Sequence, residues 1–251
     1  MSKQVVYYTA FGSNPYYQNA KISIQSLIEL GKFNGDIVVF SDKPFEYFGV
    51  INILIQPDHF SKIFELRYIA GQYFDFSKYD KIMYLDTDIL VVRPINPLFE
   101  NGLDFIYFEE PDYYFLTGSI SSIFFDWKTR LTKIYKHSIN AGQFVVSGKL
   151  YPKMMKIWEQ NVDKFRHRKA PVFNWKIKKT WFYDQGALNY IIRTNLIEAE
   201  KIYGSIRFPI CPWQYTKKSH ILFHYAAFPV QLVPKLMQKQ LDKRLKLLTK
   251  E

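Results

Sequence analysis

The chain has 251 residues, 48% of them hydrophobic and 18% aromatic, and it carries a formal net charge of +11. This length is enough for one domain with a substantial core, and no apolar run reaches the roughly 18 residues of a membrane-spanning helix. The single cysteine, Cys211, excludes an intrachain disulfide, and the N-terminus lacks a signal-peptide pattern, so we expect a cytoplasmic protein. The positive charge favours polyanionic partners: nucleic acid, an anionic membrane surface or a phosphorylated substrate.

The first residues of the chain predict an α/β arrangement. Apolar, β-branched runs indicate strands at 5–10, 36–40 and 51–55, and the spacing of apolar residues indicates a helix at 20–30. A strand–helix–strand order is typical of a parallel sheet with helices on its faces. Because ligands bind beyond the carboxyl ends of the strands in such sheets, the turn after the first strand is a candidate binding loop.

The later elements continue this alternation, and no interdomain linker separates them. The predicted helices lie at 64–74, 154–165 and 184–193, and the predicted short strands at 103–108 and 221–224. In the segment 140–147, NAGQFVVS, a small Ala-Gly pair is predicted to precede another strand. Residues 111–137 are rich in aromatic side chains and show no clear period. We therefore predict one α/β domain over residues 1–232, followed by a basic amphipathic helix over residues 233–251.

The segment 81–92, KIMYLDTDILVV, predicts a strand that is buried on both faces. Asp86 and Asp88 lie in its middle, and a buried carboxylate is costly unless it is paired, hydrogen-bonded or bound to a metal. Residues i and i+2 of a strand point the same way, so both carboxylates are expected to face one point. The hypothesis is a site for Mn²⁺ or Mg²⁺ that holds a diphosphate. The alternative is a polar strand end with a turn.

Two basic segments have two interpretations each. The C-terminal helix has an apolar face surrounded by lysines, so it either packs on the domain or makes a peripheral contact with an anionic membrane surface through residues 235–251. The segment 164–179 contains Trp175 and is followed by Trp181. It is either an acceptor-binding surface, since aromatic rings pack on sugars and cations attract acidic glycans, or a solvated loop.

Three motifs occur in a fixed order: YLDTD at 84–88, NAGQFVV at 140–146 and DQGALN at 184–189, followed by His224 at the end of a predicted strand. Together they resemble the retaining, metal-dependent glycosyltransferases of family eight, the group that contains glycogenin and bacterial lipopolysaccharide galactosyltransferases. The resemblance covers about residues 4–230. It implies a single Rossmann-like nucleotide-sugar-binding domain of the glycosyltransferase A type, with a mixed, mostly parallel sheet flanked by helices.

The resemblance also implies an activity and its residues. A hexose would move from a UDP-sugar, UDP-glucose or UDP-galactose, to a glycan, a lipid-linked acceptor or a protein. The implied ligands of Mn²⁺ or Mg²⁺ are Asp86, Asp88 and His224. The residues that would contact the nucleotide sugar are Thr9, Ala10, Tyr16, Arg67, Asp86, Thr87, Ala141 and Gly142. The residues implied in catalysis at the sugar are Asp184, Gln185 and Asn140.

Two departures from the family pattern keep an alternative open. The lysine that usually follows the late histidine is missing from HYAAFPV, and Lys217, Lys218 or Lys235 could replace it. The first loop has Ser13 and Asn14 where an acidic residue is often found. The alternative function is a non-catalytic protein that binds a sugar nucleotide or a glycan on the same fold. Nucleic acid is not an expected partner, because no nucleic-acid-binding motif accompanies the positive charge.

Overall fold

The computed structural model describes residues 3–56, 65–110, 138–167, 183–194, 196–197, 200–202, 205–207, 221–225 and 228–249. The strands within these ranges are β1 Gln4–Ala10, β2 Asp36–Ser41, β3 Val50–Leu54, β4 Lys81–Leu85, β5 Ile89–Val91, β6 Phe105–Glu110, β7 Ser138–Ser147, β8 Glu200–Ile202, β9 Ser205–Arg207 and β10 Leu222–His224. The α-helices are α1 Asn14–Glu29, α2 Leu66–Ile69, α3 Asn96–Glu100, α4 Tyr151–His167, α5 Tyr183–Arg193 and α6 Val233–Leu248.

Within the described residues, the larger of two sheets has seven strands in the order β3-β2-β1-β4-β7-β6-β8. Neighbouring strands are parallel from β3 to β4 and again between β6 and β8. Strand β7 runs antiparallel to both of its neighbours. Helices α1 and α5 contact this sheet through β1 and β7. The predicted mixed, mostly parallel sheet flanked by helices is therefore confirmed.

The segment predicted as one strand over 81–92 is divided between two sheets. Strand β4 ends at Leu85, residues 86–88 form a turn, and β5 begins at Ile89. Strand β4 pairs with β1 and β7, whereas β5 pairs with β10 in a second sheet of order β5-β10-β9. The prediction of one continuous strand was wrong, because an apolar run indicates burial and does not tell which sheet each half joins.

Apolar side chains cover both faces of the larger sheet. Along β1, Val5 and Tyr7 belong to the core on one face, and Val6 and Tyr8 to the core on the other. This alternation is the period of a strand that is buried on both sides. Trp158 of α4 lies fully buried in the first of these cores. The strands thus form a packed layer, and polar side chains are gathered beyond its carboxyl edge.

Several elements differ in extent from the prediction. Helix α1 begins at Asn14, whereas its predicted start was residue 20. The helix predicted over 64–74 is short in the described residues: α2 ends at Ile69 and a 3₁₀ turn follows at Ala70–Gln72. The NAG motif was predicted to precede a strand, and this was wrong: β7 begins at Ser138, so the motif lies within it. The sequence interpretations that fall outside the described residues concern 111–137, the basic segment from 168 to 182 with Trp175 and Trp181, Lys217 and Lys218.

The C-terminal helix α6 packs against α1. Met237 and Leu241 are fully buried, in a cluster that includes Ile22 of α1 and Leu30, the residue that follows α1. The apolar face of α6 is therefore occupied by the core. The lysines at 235, 239, 243 and 246 are exposed. Of the helices that the structure describes, none combines the length and the hydropathy needed to cross a membrane.

Candidate active site

Two neighbouring strands bring Asp88 and His224 together. Strand β10 runs antiparallel to β5, and its register places His224 opposite Ile89, the residue after Asp88. His224 Nε2 lies 3.2 Å from Asp88 Oδ1, and the Tyr225 backbone N–H donates to the Asp88 carbonyl oxygen at 2.9 Å. One ligand atom from each of Asp86, Asp88 and His224 lies within 4.8 Å of the other two. The three predicted metal ligands thus converge, through a turn and not through i, i+2 alternation in a strand.

Asn140 fixes the orientation of the His224 ring. Its Oδ1 accepts the Gly142 backbone N–H at 2.6 Å, so the amide Nδ2 is turned toward His224 Nδ1, 2.9 Å away. Asn140 and His224 are both buried. This contact leaves Nε2 as the nitrogen that faces Asp88.

Arg67 links the turn after β4 to the start of α5. Its Nη2 donates to both oxygens of Asp86, at 2.8 and 2.6 Å, and its Nη1 donates to Asp184 Oδ2. The Tyr7 hydroxyl donates to the Arg67 carbonyl oxygen at 2.6 Å, which ties α2 to β1. Burial alone lowers the pKa of Arg67, but Asp86 and Asp184 outweigh that effect and hold the pKa well above its ordinary value. The guanidinium is therefore a permanent positive charge between two carboxylates.

Tyr84 completes the surroundings of Asp86. Its hydroxyl donates to Asp86 Oδ1 at 2.5 Å and lies 3.1 Å from Thr9 Oγ1. Burial and the charge of Asp86 raise the pKa of Tyr84, so the hydroxyl stays protonated and remains a donor. Sequence reasoning missed Tyr84. It precedes Asp86 by two residues, and residues at this spacing in a strand point to the same face of the sheet.

The site carries an excess of negative charge that suits a divalent cation. Within the described residues, three carboxylates of Asp86, Asp88 and Asp184 converge around the guanidinium of Arg67. Burial raises the pKa of Asp88, but His224, Arg67 and a backbone hydrogen bond together outweigh this effect, so the pKa lies below its ordinary value. Carboxylate and imidazole groups are suitable ligands for Mn²⁺ or Mg²⁺, and both ions favour oxygen-rich sites that are shared with phosphates. The residues at this point therefore fit a divalent metal.

The N-terminal turn of α5 supplies two of the predicted catalytic residues. Asp184 and Gln185 are both buried, and the Trp158 indole N–H donates to the Asp184 carbonyl oxygen at 2.9 Å. The Ala141 backbone N–H points to Gln185 Oε1 at 3.4 Å. A carboxylate is favoured at a helix N-terminus, where backbone N–H groups carry partial positive charge. Sequence reasoning missed Trp158, because its contact with residue 184 depends on how α4 and α5 pack.

Gly142 is a glycine because of space. It lies opposite the turn, and its carbonyl oxygen accepts the Asp86 backbone N–H at 2.7 Å. A Cβ on Gly142 would lie against Asp86 Oδ2, closer than real Cβ contacts allow, and 2.9 Å from Asn140 Oδ1. The absence of a side chain therefore lets the Asp86 carboxylate and the Asn140 amide occupy their positions.

Replacing Gly142 with alanine is expected to displace the Asp86 carboxylate. We expect metal affinity to fall by about 10- to 100-fold, the range seen when groups that orient a metal ligand are changed. Isothermal titration with Mn²⁺ measures this effect. Gly71→Ala is the control, since its added methyl group would meet only the Tyr151 ring, at 3.1 Å. An unchanged Mn²⁺ affinity in Gly142→Ala would contradict the close approach of the two groups.

The remaining predicted residues lie around the end of β1. Thr9 reaches the Asp86 cluster through Tyr84, and Ala10 is buried at the last position of β1. Thr87 is buried in the turn between the two aspartates, whereas Tyr16 lies on the first turn of α1 with 39% of its surface exposed. The structure thus brings Thr9 and Thr87 to the candidate metal site and leaves the Tyr16 ring exposed on α1.

A sequence model of a known family matches most of the chain. Residues 16–220 match the family described as "Glycosyl transferase family 8". The chain belongs to glycosyltransferase family 8. No curated protein matches its sequence.

Solved glycosyltransferases share the fold of this family 8 chain at low sequence identity. The galactosyltransferase LgtC, in complex with donor and acceptor sugar analogues, has a TM-score of 0.59 at 14% identity over 94% of this chain and 95% of its own. Mouse xyloside xylosyltransferase 1 in its apo form has a TM-score of 0.60 at 15% identity over 90% of this chain and 100% of its own. The predicted glycosyltransferase A-type fold is therefore confirmed.

Proposed function

We propose that this family 8 glycosyltransferase transfers a hexose from a UDP-sugar to an acceptor, with retention of the anomeric configuration and with Mn²⁺ as its metal. The observation that carries the proposal is the convergence of Asp86, Asp88 and His224 at the carboxyl edge of the sheet, with Asp184 joined to Asp86 through Arg67. This edge is where α/β sheets bind ligands. A solved structural neighbour, LgtC, is a galactosyltransferase, and because galactose is a hexose this supports a hexose as the transferred group.

Asp86, Asp88 and His224 would hold the cation. A divalent metal at this place supplies Lewis-acid stabilisation of the negative charge that develops on the leaving diphosphate. Asn140 holds the His224 ring in place through the 2.9 Å contact with Nδ1. The burial of His224 and Asn140 keeps water from competing for the imidazole.

Arg67 and the start of α5 would act on the donor itself. The guanidinium of Arg67 is held by Asp86 and Asp184 beside the place of the diphosphate, where it adds positive charge that is already oriented. Asp184 and Gln185 would border the sugar, and the backbone of Ala141 and Gly142 would line it from β7. Thr9, Ala10 and Thr87 would contact the nucleoside, and the exposed ring of Tyr16 would stack on the base.

A second candidate function is the non-catalytic binding of a sugar nucleotide or a glycan. The observation that favours it is the absence of a lysine from residues 225–229, which follow His224. Lys235, which could replace that lysine, is exposed on α6. Among the groups that we propose to bind the donor, the metal and Arg67 would then be the only positive charges next to the phosphates.

The two functions are separated by a panel of UDP-sugars incubated with Mn²⁺ and scored for UDP release and for sugar transfer. We expect UDP release with UDP-glucose or UDP-galactose, its loss after treatment with EDTA, and its recovery when Mn²⁺ is added back. Mass spectrometry of the protein after the reaction detects self-glycosylation on tyrosine. Binding of UDP and Mn²⁺ without turnover of any donor in the panel would contradict the transferase proposal and favour the binding function.

A further inference from the structure

One carboxylate joins the loops that follow β1 and β2. Asp42 is the first residue after β2, and its Oδ1 accepts hydrogen bonds from the Tyr17 hydroxyl and, at 3.1 Å, from the Gly12 backbone N–H. In the opposite direction, Lys43 Nζ donates to the Gly12 carbonyl oxygen at 3.2 Å. Burial and the hydrogen bond to Asp42 raise the pKa of Tyr17, so its hydroxyl remains a donor. The loop after β1 is therefore held from the side of β2.

Asp42 lies at the same edge of the sheet as the candidate metal site. Strand β1 lies between β2 and β4 and is parallel to both, so Asp42 follows β2 as Asp86 follows β4. Two strand spacings, roughly 10 Å, separate β2 from β4. A nucleotide whose diphosphate lies at Asp86 and Asp88 can lay its ribose across the end of β1 and bring its base to the loop after β2.

Asp42 has capacity for a further donor. An ionised carboxylate accepts at about four lone-pair positions on its two oxygens. Within the described residues, Asp42 Oδ2 accepts one hydrogen bond, from the Gly12 backbone N–H at 3.3 Å. The same N–H lies closer to Oδ1, at 3.1 Å. The Asp42 side chain is only partly buried. The loop after β1 offers no acid of its own, since residues 11–13 are Phe, Gly and Ser.

We propose that Asp42 determines the base specificity of this site by accepting a hydrogen bond from N3–H of uracil. The inference rests on the proposed function and names a residue that acts within it. Uracil carries a hydrogen on N3, whereas N3 of cytosine is an acceptor. An ionised carboxylate accepts and cannot donate, so it stabilises bound uracil and leaves cytosine with two acceptors facing each other. The hydrogen bonds from Tyr17 and Gly12 hold the Asp42 carboxylate in one orientation, so the group that distinguishes uracil from cytosine is already in position before the base binds.

The test compares UDP and CDP binding to the full chain, with Mn²⁺ present, by isothermal titration. The wild-type protein is expected to bind UDP roughly 10- to 100-fold more tightly than CDP. Asp42→Asn retains an oxygen for Gly12 and gains an amide that can donate to N3 of cytosine, so the two affinities are expected to lie within about threefold of each other. The control is Tyr17→Phe, which removes the hydroxyl and keeps the ring that stacks on Phe45. It is expected to weaken both nucleotides and to preserve their ratio.

The ratio separates base reading from a purely structural role. If Asp42→Asn weakens UDP and CDP by the same factor, the carboxylate only holds the loop and the inference is overturned. If the wild-type protein binds neither nucleotide, the proposed function fails as well. Thermal unfolding confirms that the variant is folded, and Asp42→Ser provides a second variant without the carboxylate for the same ratio measurement.

Discussion

Asp88→Asn is expected to lower Mn²⁺-dependent UDP release by more than about 100-fold. Substitutions of residues that only contact a metal ligand already reduce metal affinity by about 10- to 100-fold, and Asp88 would be a ligand itself. The asparagine keeps the size of the side chain and removes the negative charge. A hard divalent cation then loses one of two carboxylate ligands. The partner of His224 Nε2, 3.2 Å away, also changes from a carboxylate to an amide.

The measurement is UDP release over a range of Mn²⁺ concentrations, together with a direct titration of Mn²⁺ binding. Asp242→Asn is the matched control, because Asp242 is exposed on α6 and the same atoms are exchanged there. Metal affinity and turnover should fall together in Asp88→Asn and stay unchanged in the control. Wild-type turnover with the usual Mn²⁺ dependence in Asp88→Asn would remove Asp88 from the site.

Arg67→Met is expected to destabilise the metal-free protein by about 3–5 kcal/mol, the cost of leaving a buried charge without its partner. The guanidinium joins Asp86 and Asp184, and Asp184 is almost fully buried. Its removal leaves two carboxylates in one place with their counter-charge gone. Methionine is a flexible apolar side chain that fills much of the space of the arginine stem. The decrease in the free energy of unfolding therefore comes mainly from the loss of the positive charge.

The same variant is expected to regain stability when Mn²⁺ is added, and to regain more than the wild-type protein gains. Asp86 is then free to bind the ion in the folded state, and ligand binding to the folded state adds to the free energy of unfolding. Urea denaturation with and without Mn²⁺ measures both effects. Adding Asp184→Asn to Arg67→Met removes one of the two unpaired charges and should recover part of the loss. A double variant as unstable as Arg67→Met alone would show that repulsion between the carboxylates is not the cause.

The sequence was sufficient for the fold class and for the group of residues at the candidate metal site. Asp86 and Asp88 lie within the predicted strand 81–92 and His224 ends another predicted strand. It was the resemblance to family eight that joined the three residues in one candidate site. The sequence was not sufficient for the path between the two aspartates. The apolar residues on both sides of the DTD motif are equally compatible with one long strand and with two strands in different sheets.

The contacts that sequence reasoning missed connect residues that are far apart in the chain. Arg67 and Asp184 are separated by 117 positions, and Asp42 lies 30 positions after Gly12. No local pattern relates the members of these pairs, since their proximity depends on how α2, α5 and the loops pack on the sheet. Tyr84 is different, because its position two residues before Asp86 was visible in the sequence.

The turn at residues 86–88 joins the larger sheet to the smaller one. Asp86 follows the last residue of β4, Asp88 precedes the first residue of β5, and His224 ends β10. A cation held by these three side chains would be a cross-link between two separately hydrogen-bonded layers. Because such a bond forms only in the folded arrangement, its binding free energy would also be a stabilisation of the three-stranded sheet. Loading the site would then couple the unfolding of the two sheets, so that the smaller one opens only when the metal leaves.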